Sequence, residues 1–161
     1  MAVNLFLFYN SILYRDLKPE NVGIDLNGDV KIFDFGLAKE LKERYKVGND
    51  EYKLSVAGTR RYMAPEVWLQ IPYGKPADVY SFAITMWEIL ALEKPYAKFN
   101  VVDLNTKVCR KKKRPASLKG LDRSLNQLLG LSWYHDPKER LVMKDIYQQL
   151  ETYLAKLGGT V

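Results

Sequence analysis

The sequence predicts a mainly α domain with one small β-hairpin near its start. Three observations support that class. Asn27-Gly28 stands in the middle of an alternating apolar stretch, "VGIDLNGDVKIF" at 22–33. Apolar residues at helical spacing dominate from Pro76 to the end. The chain has 161 residues, 47% hydrophobic and 27% charged, which suits one globular domain with a core of its own.

The first fourteen residues, "MAVNLFLFYNSILY", carry no charged side chain. The run is too short to span a bilayer. It also lacks the basic start and small-residue cleavage site of a signal peptide. Residues 1–11 are therefore expected to be the stump of a buried helix leading into a loop at Arg15.

Asn-Gly favours the positive φ angles of a tight turn, so strands are expected at 22–26 and 30–33, with Asp34 just past the second. Residues 37–62 are polar and aperiodic and read as a long loop with a helical turn at 38–44. The helix from Pro76 places Val79, Phe82, Ala83, Met86, Trp87, Ile89 and Leu90 on one wide apolar face, and Lys94-Pro95 ends it. A short amphipathic segment follows at 101–109. Two further helices are expected at 121–133 and 141–157, carrying Leu125, Leu128 and Leu129, and Ile146, Leu150, Tyr153 and Leu154.

One cysteine, Cys109, excludes an internal disulfide, and one histidine, His135, excludes a two-His zinc site. A reducing, intracellular or cytoplasmic setting is expected, with no membrane partner. The net charge of +6 permits weak attraction to phosphate or nucleic acid without demonstrating it. The run "KVCRKKKR" at 107–114 holds six basic residues of eight. A solvated loop is the favoured reading there over a nucleic-acid surface.

Asp16, Asn21 and Asp34 are short oxygen-bearing side chains, two in one loop and one at the end of the hairpin. Such oxygens converging in a loop-lined cleft suit magnesium, which shares its ligands with substrate phosphates. Asp16 is then free to orient a hydroxyl nucleophile, and Lys18 to meet charge building on phosphate oxygens.

"YRDLKPEN" at 14–21, "DFG" at 34–36 and "APE" at 64–66 resemble the catalytic loop, metal-binding motif and activation-segment terminus of eukaryotic protein kinases. "GTRRYMAPEV" (58–67), "ADVYSFAITMWEIL" (77–90) and "WYHDPKERLVMKDI" (133–146) extend the resemblance over nearly the whole chain. The resemblance implies a kinase C-terminal lobe over 12–157, with catalytic loop 14–21, activation segment 34–66 and helical subdomain 76–157. It implies transfer of the ATP γ-phosphoryl group to Ser/Thr hydroxyls of a protein substrate, with ATP and Mg²⁺ as cofactors and an upstream kinase as a partner. "DLKPEN" is the serine/threonine pattern, and "GTRRYMAPEV" with "DVYSFAI" resembles the tyrosine-kinase-like branch.

Residue by residue, the resemblance makes Asp16 the proton acceptor and sets Lys18 at the transferred phosphate. Asn21 and Asp34 hold magnesium. Thr59 lies near Asp16 and Lys18, in the segment that meets the acceptor. Arg15 pairs with a phosphate on the activation segment. Glu66 pairs with Arg140, and Asp78 braces the catalytic loop. From the residues alone, Asp78 reads equally as a helix N-cap, and both roles stay open. Among Tyr45, Tyr52, Ser55, Thr59 and Tyr62, Ser55 is the favoured regulatory phosphosite, facing Arg15 and Lys39.

Tyr14 replaces the usual His, and Leu141 replaces a common Pro. No G-x-G-x-x-G stretch exists among the ten glycines, so the N-terminal lobe is expected to be absent. These residues by themselves are then expected to be weak or inactive. The alternatives are a non-catalytic interaction module or a truncated gene product.

Overall fold

The computed structural model describes residues 11–158. The helix stump expected at 1–11 lies, but for Ser11, outside the described residues. Where the description begins, Ile12–Leu13 is a strand, β1, and not the end of a helix. It pairs antiparallel with β4 (Lys39–Glu40), placing Ile12 opposite Glu40 and Leu13 opposite Lys39. The partner lies far along the sequence, so no local pattern announces it. Leu13 is fully buried at this seam.

The hairpin forms as β2 (Val22–Ile24) and β3 (Val30–Ile32), with Val22 opposite Ile32. Both strands are shorter than expected, and the turn is wider. The Asp25 carboxylate accepts from the amides of Asn27 and Asp29, each at 2.9 Å. Gly28 alone takes positive φ, at 86°, and Asn27 does not. Asp25 therefore organises a loop closed from 25 to 29 rather than a two-residue turn.

Segment 37–62 is more ordered than its composition suggests. It carries β4, a 3₁₀ turn at Glu43–Tyr45, and a second hairpin of β5 (Lys46–Gly48) and β6 (Glu51–Tyr52). The expected helical turn at 38–44 is thus strand first and 3₁₀ turn second. β6 is tied down elsewhere: Tyr52 and Tyr73 exchange both backbone bonds at 3.1 Å.

The helices are α1 (Pro65–Trp68), α2 (Pro76–Ala91), α3 (Val101–Asp103, continued as a π-helical Leu104–Arg110), α4 (Arg123–Ser132) and α5 (Met143–Lys156). Pro65 and Pro76 open their helices, where a missing N–H costs nothing. α2 is the pillar. Its buried residues are Ala77, Val79, Tyr80, Ser81, Ala83, Ile84, Thr85 and Trp87. Ile89 and Leu90, expected in the core, are 51% and 39% exposed. Leu92 ends the helix in the left-handed region, ahead of Lys94-Pro95. The main core joins α2 to Tyr62, Met63, Val67, Leu129 and Trp133. A second cluster packs Val79 with Leu125, Leu128, Met143, Ile146 and Leu150. Leu154 of α5 stays 40% exposed, outside that cluster.

Glu66 and Arg140 join α1 to the turn before α5. The guanidinium donates to the two carboxylate oxygens at 2.7 and 2.8 Å. It also reaches the carbonyls of Pro76 (2.7 Å) and Tyr134 (2.8 Å) and lies over the Tyr80 ring. Both residues are buried, so removing one partner leaves a charge without water or counter-ion. Arg140→Ala is expected to lower unfolding stability by about 3–5 kcal/mol. Arg140→Lys is expected to recover only part of this, because an ammonium cannot fork. Urea denaturation monitored by tryptophan fluorescence reads both.

Candidate active site

Loop 14–21 has little regular structure, so its backbone groups need partners from elsewhere. One face of α2 supplies them. Asp78, Ser81 and Thr85 recur at helical spacing and point the same way. The Asp78 carboxylate accepts from the amides of Tyr14 (2.6 Å) and Arg15 (2.9 Å). Ser81 Oγ donates to the Tyr62 carbonyl at 2.9 Å. Thr85 Oγ1 donates to the Leu17 carbonyl at 3.2 Å. The N-cap of α2 is Lys75, and no side chain caps it, so the Asp78 oxygens serve the loop and not the helix end. Desolvation of the partly buried Asp78 pushes its carboxyl up to about 6, against the lowering effect of the two amides and Arg15.

Asp16 is held from three sides. Its Oδ1 accepts from the Thr59 amide at 2.7 Å. Its Oδ2 lies 3.0 Å from Lys18 Nζ and 3.3 Å from Asn21 Nδ2. Lys18 also donates to Thr59 Oγ1 at 3.0 Å. Burial alone would raise the Asp16 carboxyl, but the hydrogen bonds from Thr59 and Lys18 outweigh it and hold the group below its ordinary value. Asp16, Lys18 and Thr59 thus meet in one cluster.

That meeting requires Gly58. Its φ is 110°, and a Cβ there would lie 2.1 Å from the Arg15 carbonyl oxygen. Only glycine lets segment 58–62 lie this close to the loop. Farther along, Arg61 donates to the carbonyls of Pro95 and Tyr96. Lys94 ties Glu20 (2.6 Å) to Glu88 (2.9 Å), while the Tyr62 hydroxyl donates to Glu88 at 2.7 Å.

Asn21 is buried and commits its Nδ2 to the Asp16 carbonyl at 2.9 Å. Its own carbonyl oxygen is then the end available to a ligand. The Phe33 amide donates to the Asn21 backbone carbonyl at 2.9 Å, which extends the hairpin by one bond and sets Asp34 directly beyond it. Asp34 takes φ of 52° and accepts from the Gly36 amide at 3.1 Å through Oδ1. Its Oδ2 has no hydrogen-bond partner among the described residues. Tyr14 lies underneath, donating its hydroxyl to the Phe33 carbonyl and meeting the Phe35 ring edge-on at 5.4 Å. Burial pushes the Tyr14 hydroxyl up to about 12, so it stays protonated and a donor.

No group of three His, Cys, Asp or Glu side chains among the described residues could cage a metal. An amide oxygen and an exposed carboxylate fit magnesium better than zinc or calcium. Magnesium keeps its waters and takes few protein ligands, leaving positions for phosphate oxygens.

Arg15 adopts φ of 72° and reaches into segment 34–66. Its Nε donates to the Leu37 carbonyl at 2.6 Å, and its Nη1 lies 3.3 Å from the Ser55 carbonyl and 3.5 Å from Ser55 Oγ. Tyr73 closes the arrangement, donating its hydroxyl to the Ser55 carbonyl at 2.7 Å. Lys39, expected to face Ser55, instead lies over the Tyr45 ring at 5.3 Å. Its place in β4 opposite Leu13 directs it there.

Sequence reasoning missed Ser81, Thr85, Gly58 and Tyr73. The first two carried a usable signal: hydroxyls three and seven residues after Asp78 on an otherwise apolar helix. Gly58 and Tyr73 act through contacts that no local pattern encodes.

The profile described as the protein kinase domain matches residues 2–150 of the chain. Dual specificity protein kinase shkB of Dictyostelium discoideum is 39% identical over 153 residues, covering 92% of this chain and 23% of the relative. Serine/threonine-protein kinase STY46 of Arabidopsis thaliana is 36% identical over 153 residues, covering 95% of this chain and 26% of the relative. Dual specificity protein kinase shkD of Dictyostelium discoideum is 37% identical over 144 residues, with 89% of this chain and 19% of the relative covered. The chain thus spans about a quarter or less of the length of these relatives.

Two measurements probe the loop's supports. The Asp78 carboxyl is raised from 3.8 to about 6, so the folded state holds its proton more tightly than the unfolded chain. Its contribution is fully present below the unfolded value and is lost as pH rises through the folded one. Wild type is therefore expected to lose stability relative to Asp78→Asn between pH 4 and 6, with a constant difference on either side, as read by urea midpoints. Gly58→Ala is expected to destabilise by roughly 1–3 kcal/mol, because the added methyl meets backbone and the conformation is left-handed.

Proposed function

This chain belongs to the protein kinase family, and we propose that it supplies the acceptor-orienting and metal-holding side of phosphoryl transfer to serine and threonine. The observation that carries the reading is the cluster of Asp16, Lys18 and Thr59, with Asn21 and Asp34 adjoining. In this assignment residues 12–157 correspond to a kinase C-terminal lobe, with segment 34–66 as its activation segment.

Asp16 is the group that takes the proton of the acceptor hydroxyl. Its lowered pKa keeps it ionised at neutral pH, and the Thr59 amide aims one oxygen while leaving the other near Lys18. Lys18, 3.0 Å from that carboxylate, is placed to neutralise charge on a transferring phosphoryl group. Asn21 and Asp34 are the residues that would hold magnesium. Bound ATP with magnesium supplies the γ-phosphoryl group and lowers the repulsion that opposes attack on it.

The choice of serine and threonine over tyrosine rests on the Lys18 to Thr59 bond. That bond ties segment 58–62 to the loop beside Asp16, an arrangement we assign to an acceptor with a short side chain. The curated relatives include kinases named for both specificities. None of the 161 residues forms a G-x-G-x-x-G phosphate loop, so they are proposed to transfer phosphate slowly by themselves.

Ser55 is proposed as a regulatory phosphosite recognised by Arg15. The guanidinium already lies 3.5 Å from Ser55 Oγ, so a phosphate there would gain a charge-assisted contact without rebuilding the loop.

The experiment is radiolabel transfer from Mg-ATP to peptides with serine, threonine or tyrosine as sole acceptor. Serine and threonine peptides are expected to be labelled and the tyrosine peptide not. Asp16→Asn and Asp34→Ala are each expected to lower labelling by at least about a hundredfold. Equal labelling of the tyrosine peptide would overturn the specificity, and full labelling with Asp34→Ala would overturn the metal assignment. Ser55→Ala is expected to remove a phosphate that an upstream kinase adds to segment 34–66, as read by intact mass.

A further inference from the structure

A large concave feature lies away from the Asp16 cluster. It is an open groove of about 1110 Å³ between the tip of the β5–β6 hairpin, residues 69–76 and residues 133–142. None of Asp16, Lys18, Asn21 or Asp34 lines it. Its volume lies above the range of about 300–1,000 Å³ in which small-molecule sites fall.

The lining combines apolar and cationic side chains. Ile71, Tyr134 and Val142 are 51%, 51% and 46% exposed, so large apolar side chains face the groove without cover. The acidic residues of the lining are already engaged. Glu66 is paired with Arg140 at 2.7 Å and Glu51 with Lys138 at 3.4 Å, and Asp136 accepts from the Lys138 amide at 3.0 Å. Asp50 is half-buried against Gly74 and faces the charges of Lys75 and Lys46.

Two cations near His135, Lys112 and Arg114, have no such match among the described residues. Arg114 donates to the carbonyls of Val108, Lys113 and Trp133 and meets His135 Nδ1 at 3.4 Å, with no carboxylate partner among the described residues. Lys112 is exposed and has no acidic partner among the described residues. Burial, with the charges of Arg114, Lys112 and Arg140, depresses the His135 pKa against the opposing effect of Glu66.

We propose that this groove docks an extended, acidic-apolar peptide segment of a partner protein. Carboxylates of the segment meet Lys112 and Arg114, and its apolar side chains cover Ile71, Tyr134 and Val142. Asp136 and Lys138 share the lining with these three apolar residues, so charged side chains interrupt its apolar surface. Such a mixed lining suits the mixed side chains of an extended peptide better than a continuous acyl chain. Docking also touches the candidate site at one remove. The groove is walled by the β5–β6 hairpin, and β6 is clamped to Tyr73, whose hydroxyl holds Ser55. The inference stands apart from the kinase reading, since no proposed catalytic residue takes part.

The test is fluorescence anisotropy of the purified chain with labelled nonapeptides. One carries three glutamates followed by alternating leucine and serine, and a second carries three lysines in place of the glutamates. The glutamate peptide is expected to bind at least about tenfold more tightly. Lys112→Glu and Val142→Asp are each expected to weaken it by about tenfold. Lys42→Glu lies outside the groove and is expected to leave its Kd unchanged, which separates local pairing from the overall charge. Equal binding of both peptides, or equal losses from Lys112→Glu and Lys42→Glu, would overturn the proposal. So would saturable binding of oleate with no binding of the glutamate peptide.

Discussion

The arrangement depends first on the hold that α2 keeps on loop 14–21. Asp78 takes two successive backbone amides, Thr85 takes the Leu17 carbonyl, and Ser81 takes the Tyr62 carbonyl. A loop with φ of 72° at Arg15 is strained by on the order of 1 kcal/mol and would not keep that shape unaided. The two amides bonded to Asp78 over-determine it. The cost is electrostatic, since a partly buried carboxylate is kept with only amides and one arginine for company. Asp16 and Asn21 inherit their positions from this hold. So does the segment at 58–62, which meets the same helix face through Ser81.

The second constraint is close approach. Gly58 against the Arg15 carbonyl and Gly74 against the Asp50 carbonyl are both contacts that a methyl group would occupy, each with its Cβ position 2.1 Å from backbone oxygen. Between these two points segment 37–62 is carried by two short strand pairs, β1–β4 and β5–β6, and by the Tyr52 to Tyr73 bridge. Such pairs are marginal alone. The segment's order therefore comes from what it docks on. A charge placed at Ser55, or a peptide seated against the hairpin, acts on a part of the molecule with little intrinsic stability of its own.

Much of this was legible in the sequence for local reasons. The period of α2 follows from 3.6-residue spacing, and the β2–β3 hairpin follows from alternation around Asn27-Gly28. Glu66 and Arg140 were placed together by resemblance, and they do form a buried bidentate pair. Apart from the 25–29 turn, which the Asp25 side chain reshapes locally, the differences are of one kind. The strand at Ile12–Leu13, the β5–β6 hairpin and the direction of Lys39 depend on partners brought from elsewhere by the fold. Ile89 and Leu90 differ for a related reason: periodicity finds a face but not how much of it neighbours cover.

Sequence by itself determined which residue types stand at which spacing: acid, lysine and asparagine in one loop, a carboxylate past a hairpin, and three polar side chains on one helix face. These are set by helical and strand periods, which are properties of short stretches of chain. Tertiary structure alone decided that Asp78 serves the loop rather than its own helix end, that Gly58 closes against the Arg15 carbonyl, and that a groove lined in part by Lys112 and Arg114 opens beside the β5–β6 hairpin. Each of these joins residues more than twenty positions apart. Their meeting is a matter of packing and close backbone approach, which no local pattern encodes.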